Sequence, residues 1–238
     1  MRNAISIMLV LFIIFAFAGK TFAAPTNGVR MPPQGRVEAG YEYNQMSSRI
    51  LRHDAYGRIA TRDHFATLSV GLFDWLTIEG KAGNGDVTHK NGIYAPDLAY
   101  GGAFVGGYGI RLKMFDLKPS EVFSVLSAQH ISIHPKDKLI NGVKYQACVD
   151  EWQLSLSIAK RLRFGEIAQA MPYAGIKGSD AEIVYDMNNN DEQRRYSRYH
   201  VGFLFGSDIL FFDDKLRINI EARFFDETAL STGISWLF

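Results

Sequence analysis

The chain has 238 residues, with 26 Lys plus Arg against 25 Asp plus Glu and one cysteine, Cys148. The near balance of charge removes the electrostatic argument for a nucleic-acid partner, and a lone cysteine excludes an intramolecular disulfide framework. Mean hydropathy is -0.07, a soluble-looking average, yet aromatic residues make up 13% and glycine contributes 22. Strands that are apolar only at every second position give this combination, because averaging hides their apolar face.

Residues 1–23 read as a secretory signal peptide: Arg2, an apolar run from Ile5 to Phe17, and the cleavage triplet Thr21-Phe22-Ala23. The run is shorter than the roughly 20 residues that a membrane-spanning helix needs. Residues 24–35 carry Pro25, Pro32 and Pro33 without periodicity and read as a short lead on the periplasmic side. From residue 36 to 238 the chain becomes a series of alternating segments separated by turns, which is the strand signal.

The first strand sets Val37, Ala39, Tyr41 and Tyr43 against Glu38, Gly40, Glu42 and Asn44. The second and third, joined tightly at Phe73-Asp74-Trp75, set Leu68, Val70, Ile78 and Ala82 against Thr67, Ser69, Glu79 and Lys81. The fourth, Tyr100 to Leu112, opposes Phe104, Tyr108 and Ile110 to Gly107, Gly109 and Arg111; its Gly-rich run, Gly101 to Gly109, reads as close backbone approach. Strands five (Val122 to Ile133) and seven (Ala170 to Val184) alternate poorly, which predicts a bulge, and Pro172 belongs near a strand end. Strand six opposes Trp152, Leu154, Leu156 and Ile158 to Glu151, Gln153, Ser155 and Ser157. Strand eight runs from Tyr199 to Gly206. Strand nine opposes Leu216, Ile218, Ile220 and Phe224 to Arg217, Asn219, Glu221 and Arg223, and the last places Leu230, Ile234, Trp236 and Phe238 on one face. Long connections are expected at Gln45–Arg62, Gly85–Leu98, His134–Lys144 and Met187–Ser197.

The polar faces collect Glu38, Glu42, Glu79, Lys81, Arg111, Glu151, Arg217, Glu221 and Arg223, while the opposite faces carry almost no charge. A soluble β-sandwich could scatter charge over its wet face. A hydrocarbon-facing wall cannot, since Arg or Lys at mid-bilayer costs about 2–4 kcal/mol. Closure is then obligatory, because lipid leaves no partner for an open sheet edge. The expected fold is all-β, a single closed antiparallel transmembrane β-barrel of about ten strands, with eight or twelve as alternatives and both termini on one side. Its interior is close to the size that side chains fill, so the nine lumen charges are expected to pair into a network that plugs it.

The stretch Val201 to Phe238, with Gly202, Gly206, Asp208, Glu221, Arg223, Asp226 and the ending Ile234-Ser235-Trp236-Leu237-Phe238, resembles the last strands of Gram-negative outer-membrane β-barrel proteins, among them the small OmpA/OmpX-like and the ten-stranded barrels. The resemblance implies location in the cell outer membrane, periplasmic termini, and an assembly signal at Leu230, Ile234, Trp236 and Phe238 read by the barrel-assembly machinery. It implies no activity.

Other constellations carry less. His130-Ile131-Ser132 resembles the His-x-Ser pair of outer-membrane lipid A deacylases, in which imidazole activates a serine, but the Asn that follows in that family is missing here. No acid-and-His dyad of the omptin kind is found. Asp186 to Asn190 begins like a calcium loop, yet Asp191 stands where Gly is needed and Ser197 where the bidentate Glu belongs, so no metal is expected. Arg49, Arg52, Arg58 and Arg62 make the first external loop basic, suited to lipopolysaccharide phosphates. No cofactor motif is present. The residues point to a non-enzymatic barrel with a structural, surface-binding or adhesive role. A narrow porin-like passive channel and a lipid-modifying enzyme are the alternatives.

Overall fold

The computed structural model describes residues 28–52, 57–90, 97–140, 142–165, 167–187 and 191–238. The leader reading at 1–23, and the calcium-loop positions 188–190, lie outside these residues. The strands are β1 (Val37–Ile50), β2 (Arg58–Phe73), β3 (Leu76–Lys90), β4 (Leu98–Leu117), β5 (Val122–His134), β6 (Lys138–Ile140), β7 (Val143–Lys160), β8 (Leu162–Phe164), β9 (Ala168–Met187), β10 (Asp191–Tyr196), β11 (Val201–Phe211), β12 (Leu216–Phe224) and β13 (Glu227–Leu237). Ten of them form a closed antiparallel barrel in the order β1-β2-β3-β4-β5-β7-β9-β11-β12-β13, with β13 pairing back onto β1 from Glu38↔Leu237 to Arg49↔Glu227. The remaining three, β6, β8 and β10, are short hairpin arms on β7 and β9.

Alternation decides which way each side chain points. Outward stand Leu68, Phe104, Tyr108, Ile158, Ile176 and Phe205, each more than half exposed, while Glu38, Asn44, Ser69, Lys81, Gln153 and Asn219 point inward and are buried. This reverses the soluble arrangement and fits a hydrocarbon surround. Aromatic residues mark both limits of the apolar wall. At the end holding the termini, Phe73 stacks on Trp75 at 5.4 Å, and Trp236 and Phe238 are exposed at the end of the chain. Toward the far end, the His64 ring lies 5.0 Å from that of Tyr43, and His130 lies 5.3 Å from Tyr108 and 4.5 Å from Trp152. His64 and Phe73 are nine residues apart on β2, about 30 Å of strand, which at the usual barrel tilt gives a height close to the ~25 Å apolar band of outer-membrane barrels.

Three sequence expectations change. The long connections are mostly strand: β1 continues to Ile50, β3 to Lys90 and β9 to Met187. Beyond the aromatic residues the outward face turns polar while Met46, Ile59 and Val87 point inward into an apolar cluster, so the wall pattern reverses while the backbone ladder continues. Strand five does not carry the bulge. The register shifts in its neighbour β4 between Lys113 and Phe115, and β5 pairs with β7 without interruption. Its alternation is poor because the lumen is apolar at both ends of β5, where Phe123 and Val125 enter one buried cluster and Ile131 and Ile133 another. Pro172 sits in β9 between Ala170, which pairs with β8, and Tyr173, which pairs with β7, so its missing N–H falls in the break between the two ladders.

The segment read as a free lead folds into the barrel mouth from Gly28 onward. Val29 and Arg30 are buried, and Val29 joins Phe123, Met171, Leu204 and Leu210 in the apolar cluster at the terminal end. The Val29 and Arg30 N–H groups both donate to Asp208 Oδ2, at 2.8 and 2.7 Å. Gly28 adopts φ +68°, and a Cβ there would lie 2.3 Å from Asp208 Oδ1, so only glycine fits. Gly35 N–H donates to the Gly71 carbonyl at 2.8 Å and ties the segment to the rim.

Candidate functional site

Two regions hold concentrated chemistry: the lumen and the outward wall near the far end. In the lumen all nine expected charged side chains are buried, and the structure brings them into two clusters and a pair. Near the terminal mouth, Arg217 donates to Glu38 Oε1 at 3.0 Å and to Asp208 Oδ1 at 2.8 Å. Arg111 lies 3.1 Å from Glu79 and also donates to the Arg30 carbonyl, while Arg30 pairs with Glu38. Midway, Lys81 Nζ is 3.0 Å from Glu42 Oε2. Deeper, Arg223 binds Glu221 at 3.1 Å and Glu227 at 2.7 Å, Lys177 binds Asp226 at 2.7 Å, and Arg49 bridges Glu151 and Glu227. The Tyr173 hydroxyl couples the clusters, donating to Glu221 at 2.9 Å and accepting from Asn219 at 3.2 Å.

Asp208, Asp226, Glu227, Lys177 and Arg30 were not among the expected lumen charges. Asp208 continues the inward positions Gly202 and Gly206 of an alternating strand, so its pattern was available, whereas Lys177 lies in the strand from Ala170 to Val184 that alternates poorly. Asp226 and Glu227 stand at a tight turn, where alternation carries no signal. Burying charge in a lumen is costly unless each ion is paired. Every buried Arg and Lys of the lumen among the described residues meets a carboxylate.

Arg49 is a correction. It lies on β1, is 1% exposed, and points into the lumen, because a register shift after Met46 carries residue 49 to the inner face. It therefore contacts carboxylates and cannot meet lipid phosphate. Arg52 is exposed, and its backbone N–H donates to the Tyr196 carbonyl. Arg58 and Arg62 are also exposed, but on β2 rather than in a loop. Leu230, Ile234 and Trp236 stand on the outward face of β13 and Phe238 follows its end, each 41–64% exposed.

His130 and Ser132 both stand on the outward face of β5 but do not bond each other. The Ser132 hydroxyl lies 2.8 Å from His134 Nε2, and His134 Nδ1 lies 3.4 Å from Cys148 Sγ. His130 instead packs between Tyr108 and Trp152, with Nε2 3.7 Å from Asp150 Oδ1. At the adjoining rim, Lys144 and Gln146 hydrogen-bond Asp137 and hold its carboxyl below the usual range. Among the described residues no group of His, Cys, Asp and Glu is arranged to hold a metal ion.

No protein-family model matches the sequence, and no curated protein matches it. Solved structures similar in fold include the β domain of the Bordetella autotransporter BrkA (12% identity, 85% of this chain and 98% of that chain, TM-score 0.43). The transport unit of the autotransporter AIDA-I from Escherichia coli is similar at 11% identity, 94% and 95% coverage and TM-score 0.46. The outer-membrane protein AlkL is similar at 9%, 92% and 97%, with TM-score 0.45. The architecture itself, a closed ten-stranded antiparallel barrel with an apolar outer wall and a charged lumen, is that of the outer-membrane β-barrels.

Proposed function

We propose that the chain is a closed-lumen barrel of the outer membrane, exported by its N-terminal leader, with periplasmic termini and a structural or surface-binding role carried by its outer wall and far-end strands. The observation that supports this is the filling of the lumen. Paired ions cross it, apolar clusters occupy both ends, and Gly28–Pro33 fill the terminal mouth. A porin-like path needs a continuous water-filled lumen, and the buried ion pairs described here lie across it. Single-channel recording of the refolded protein in a planar bilayer tests it. A flat trace is expected, and stable ohmic steps would overturn the reading in favour of a channel.

One contact favours a second reading, the Ser132–His134 hydrogen bond on the outward face, which has the form of a serine poised beside a general base. The other nitrogen of His134 faces a thiol rather than a carboxylate, so the orienting acid of a full triad is not at that nitrogen. Lipid acyl content compared between the parent and Ser132→Ala tests it. Equal content removes the enzymatic reading.

A further inference from the structure

A hollow of about 450 Å3 lies between β1 and β4, near the far end, and its lining includes the small residues Ala60, Ala99 and Gly101 together with Arg62 and Lys90. Two irregularities flank it. The β1 register shifts between Met46 and Arg49 against β2, and that of β3 against β4 shifts between Gly85 and Val87, opposite Gly101 and Gly102. Bulges bend a strand and re-aim its side chains, and they recur beside functional sites. Here two of them bracket β2 and β3, where Arg62 and Lys90 are both exposed.

Arg58 is the direct cross-strand partner of Lys90, and it is exposed on the same face of β2 as Arg62. Like charges opposed across a ladder repel each other. Among the described residues none of Arg58, Arg62 and Lys90 takes part in a side-chain hydrogen bond or ion pair. The one carboxylate lining the hollow, Asp86, is the cross-strand partner of Arg62 and accepts the Gly102 N–H at 3.2 Å through Oδ1. Arg58, Arg62 and Lys90 thus place three cations around that one carboxylate, a surplus of positive charge. It stands directly beyond the aromatic group of Tyr41, Tyr43 and His64, in which the Tyr41 hydroxyl lies 2.6 Å from His64 Nδ1. Aromatic rings of this kind settle where hydrocarbon gives way to headgroups, so the three cations stand in the headgroup layer.

We propose that this hollow binds the phosphate of a membrane-lipid headgroup, with Arg62 and Lys90 contacting the phosphate oxygens and Arg58 reinforcing the field. Guanidinium and ammonium groups pair with phosphate through charge-assisted hydrogen bonds. The proposal rests on the membrane location given above, and it narrows the surface-binding role to one wall and one ligand chemistry. It moves the expected phosphate contact away from Arg49 and onto Lys90, which the sequence alone did not single out.

The test uses the full protein extracted from membranes in mild detergent, stripped of lipid, and offered phosphatidylcholine micelles with or without phosphatidic acid. Bound lipid is read by native mass spectrometry. The parent protein is expected to retain phosphatidic acid about ten-fold better than phosphatidylcholine, and Arg58→Ala/Arg62→Ala/Lys90→Ala to lose that preference while keeping its heat-modifiable gel shift. Arg62→Lys in the parent should restore most of what Arg62→Ala loses. Unchanged preference in the triple variant overturns the proposal. So does displacement of the lipid by millimolar inorganic phosphate, which would make free phosphate the ligand. Conductance of the same preparations reports separately on the closed lumen. A conducting barrel that keeps its lipid preference would sink the first reading and leave this one standing.

Discussion

The lumen and the outward hollow hold the same residue types under opposite rules. Inside, Arg49, Lys81, Arg111, Lys177, Arg217 and Arg223 are buried and each meets a carboxylate. Outside, Arg58, Arg62 and Lys90 are exposed and unpaired among the described residues. Burial explains the difference, since a charge removed from water must find its counterion within the protein, whereas one at the headgroup layer can leave that place to a ligand. The same comparison separates ions that hold the barrel together from ions that are free to bind.

Breaking the inner rule should have the largest effect. Arg49→Ala leaves Glu151 and Glu227 facing each other with one cation fewer, and removal of one partner of a buried pair typically costs about 3–5 kcal/mol. Urea unfolding of the refolded protein should show a correspondingly lower midpoint. Next in size is a charge placed on the outer wall. Leu156→Arg, on a mid-height outward position of β7, should cost about 2–4 kcal/mol in a bilayer, read by the same titration in vesicles, and much less in short-chain detergent.

An effect of similar size is expected at the terminal mouth. Asp208→Ala removes the acceptor of the Val29 and Arg30 N–H groups and one of the two carboxylates that meet buried Arg217, a loss that approaches the ~3–5 kcal/mol of a broken buried pair. In a Cys148→Ser background, Val29→Cys should resist a water-soluble maleimide, and adding Asp208→Ala should make it reactive. Protection unchanged by that substitution would show that Asp208 does not hold the segment. Smallest of all, Arg58→Ala with Lys90→Ala should move stability by no more than about 0.5 kcal/mol, while lipid retention falls.

Much of this was legible in the sequence wherever one face of a strand meets hydrocarbon. Strands such as Leu216–Phe224 alternate so cleanly that their inward charges, Arg217, Glu221 and Arg223, follow directly. Legibility ends where the outer wall leaves hydrocarbon. Residues 45–50 and 85–90 read as loop because their outward face is mostly polar and the apolar Met46 and Val87 point inward, the reverse of the wall pattern, and the backbone ladder that extends them leaves no compositional trace. The bulge that turns Arg49 inward is likewise invisible to a period-two reading, since one extra residue reverses every later side chain. Asp208 could have been found from its inward position in β11. Its contact with the chain start joins residues almost 180 positions apart, a pairing that local pattern does not carry.

The seam between β1 and β13 is the most direct place to test the whole arrangement. Tyr43 and Thr232 are register partners there, so Tyr43→Cys/Thr232→Cys in the Cys148→Ser background should form a disulfide on mild oxidation. Tyr43→Cys/Ser231→Cys should not, because successive residues of a strand face opposite sides. Cross-linking of the first pair alone is the result that a closed barrel in this register requires. Failure of the first pair in the folded protein, or equal cross-linking of both, would contradict it.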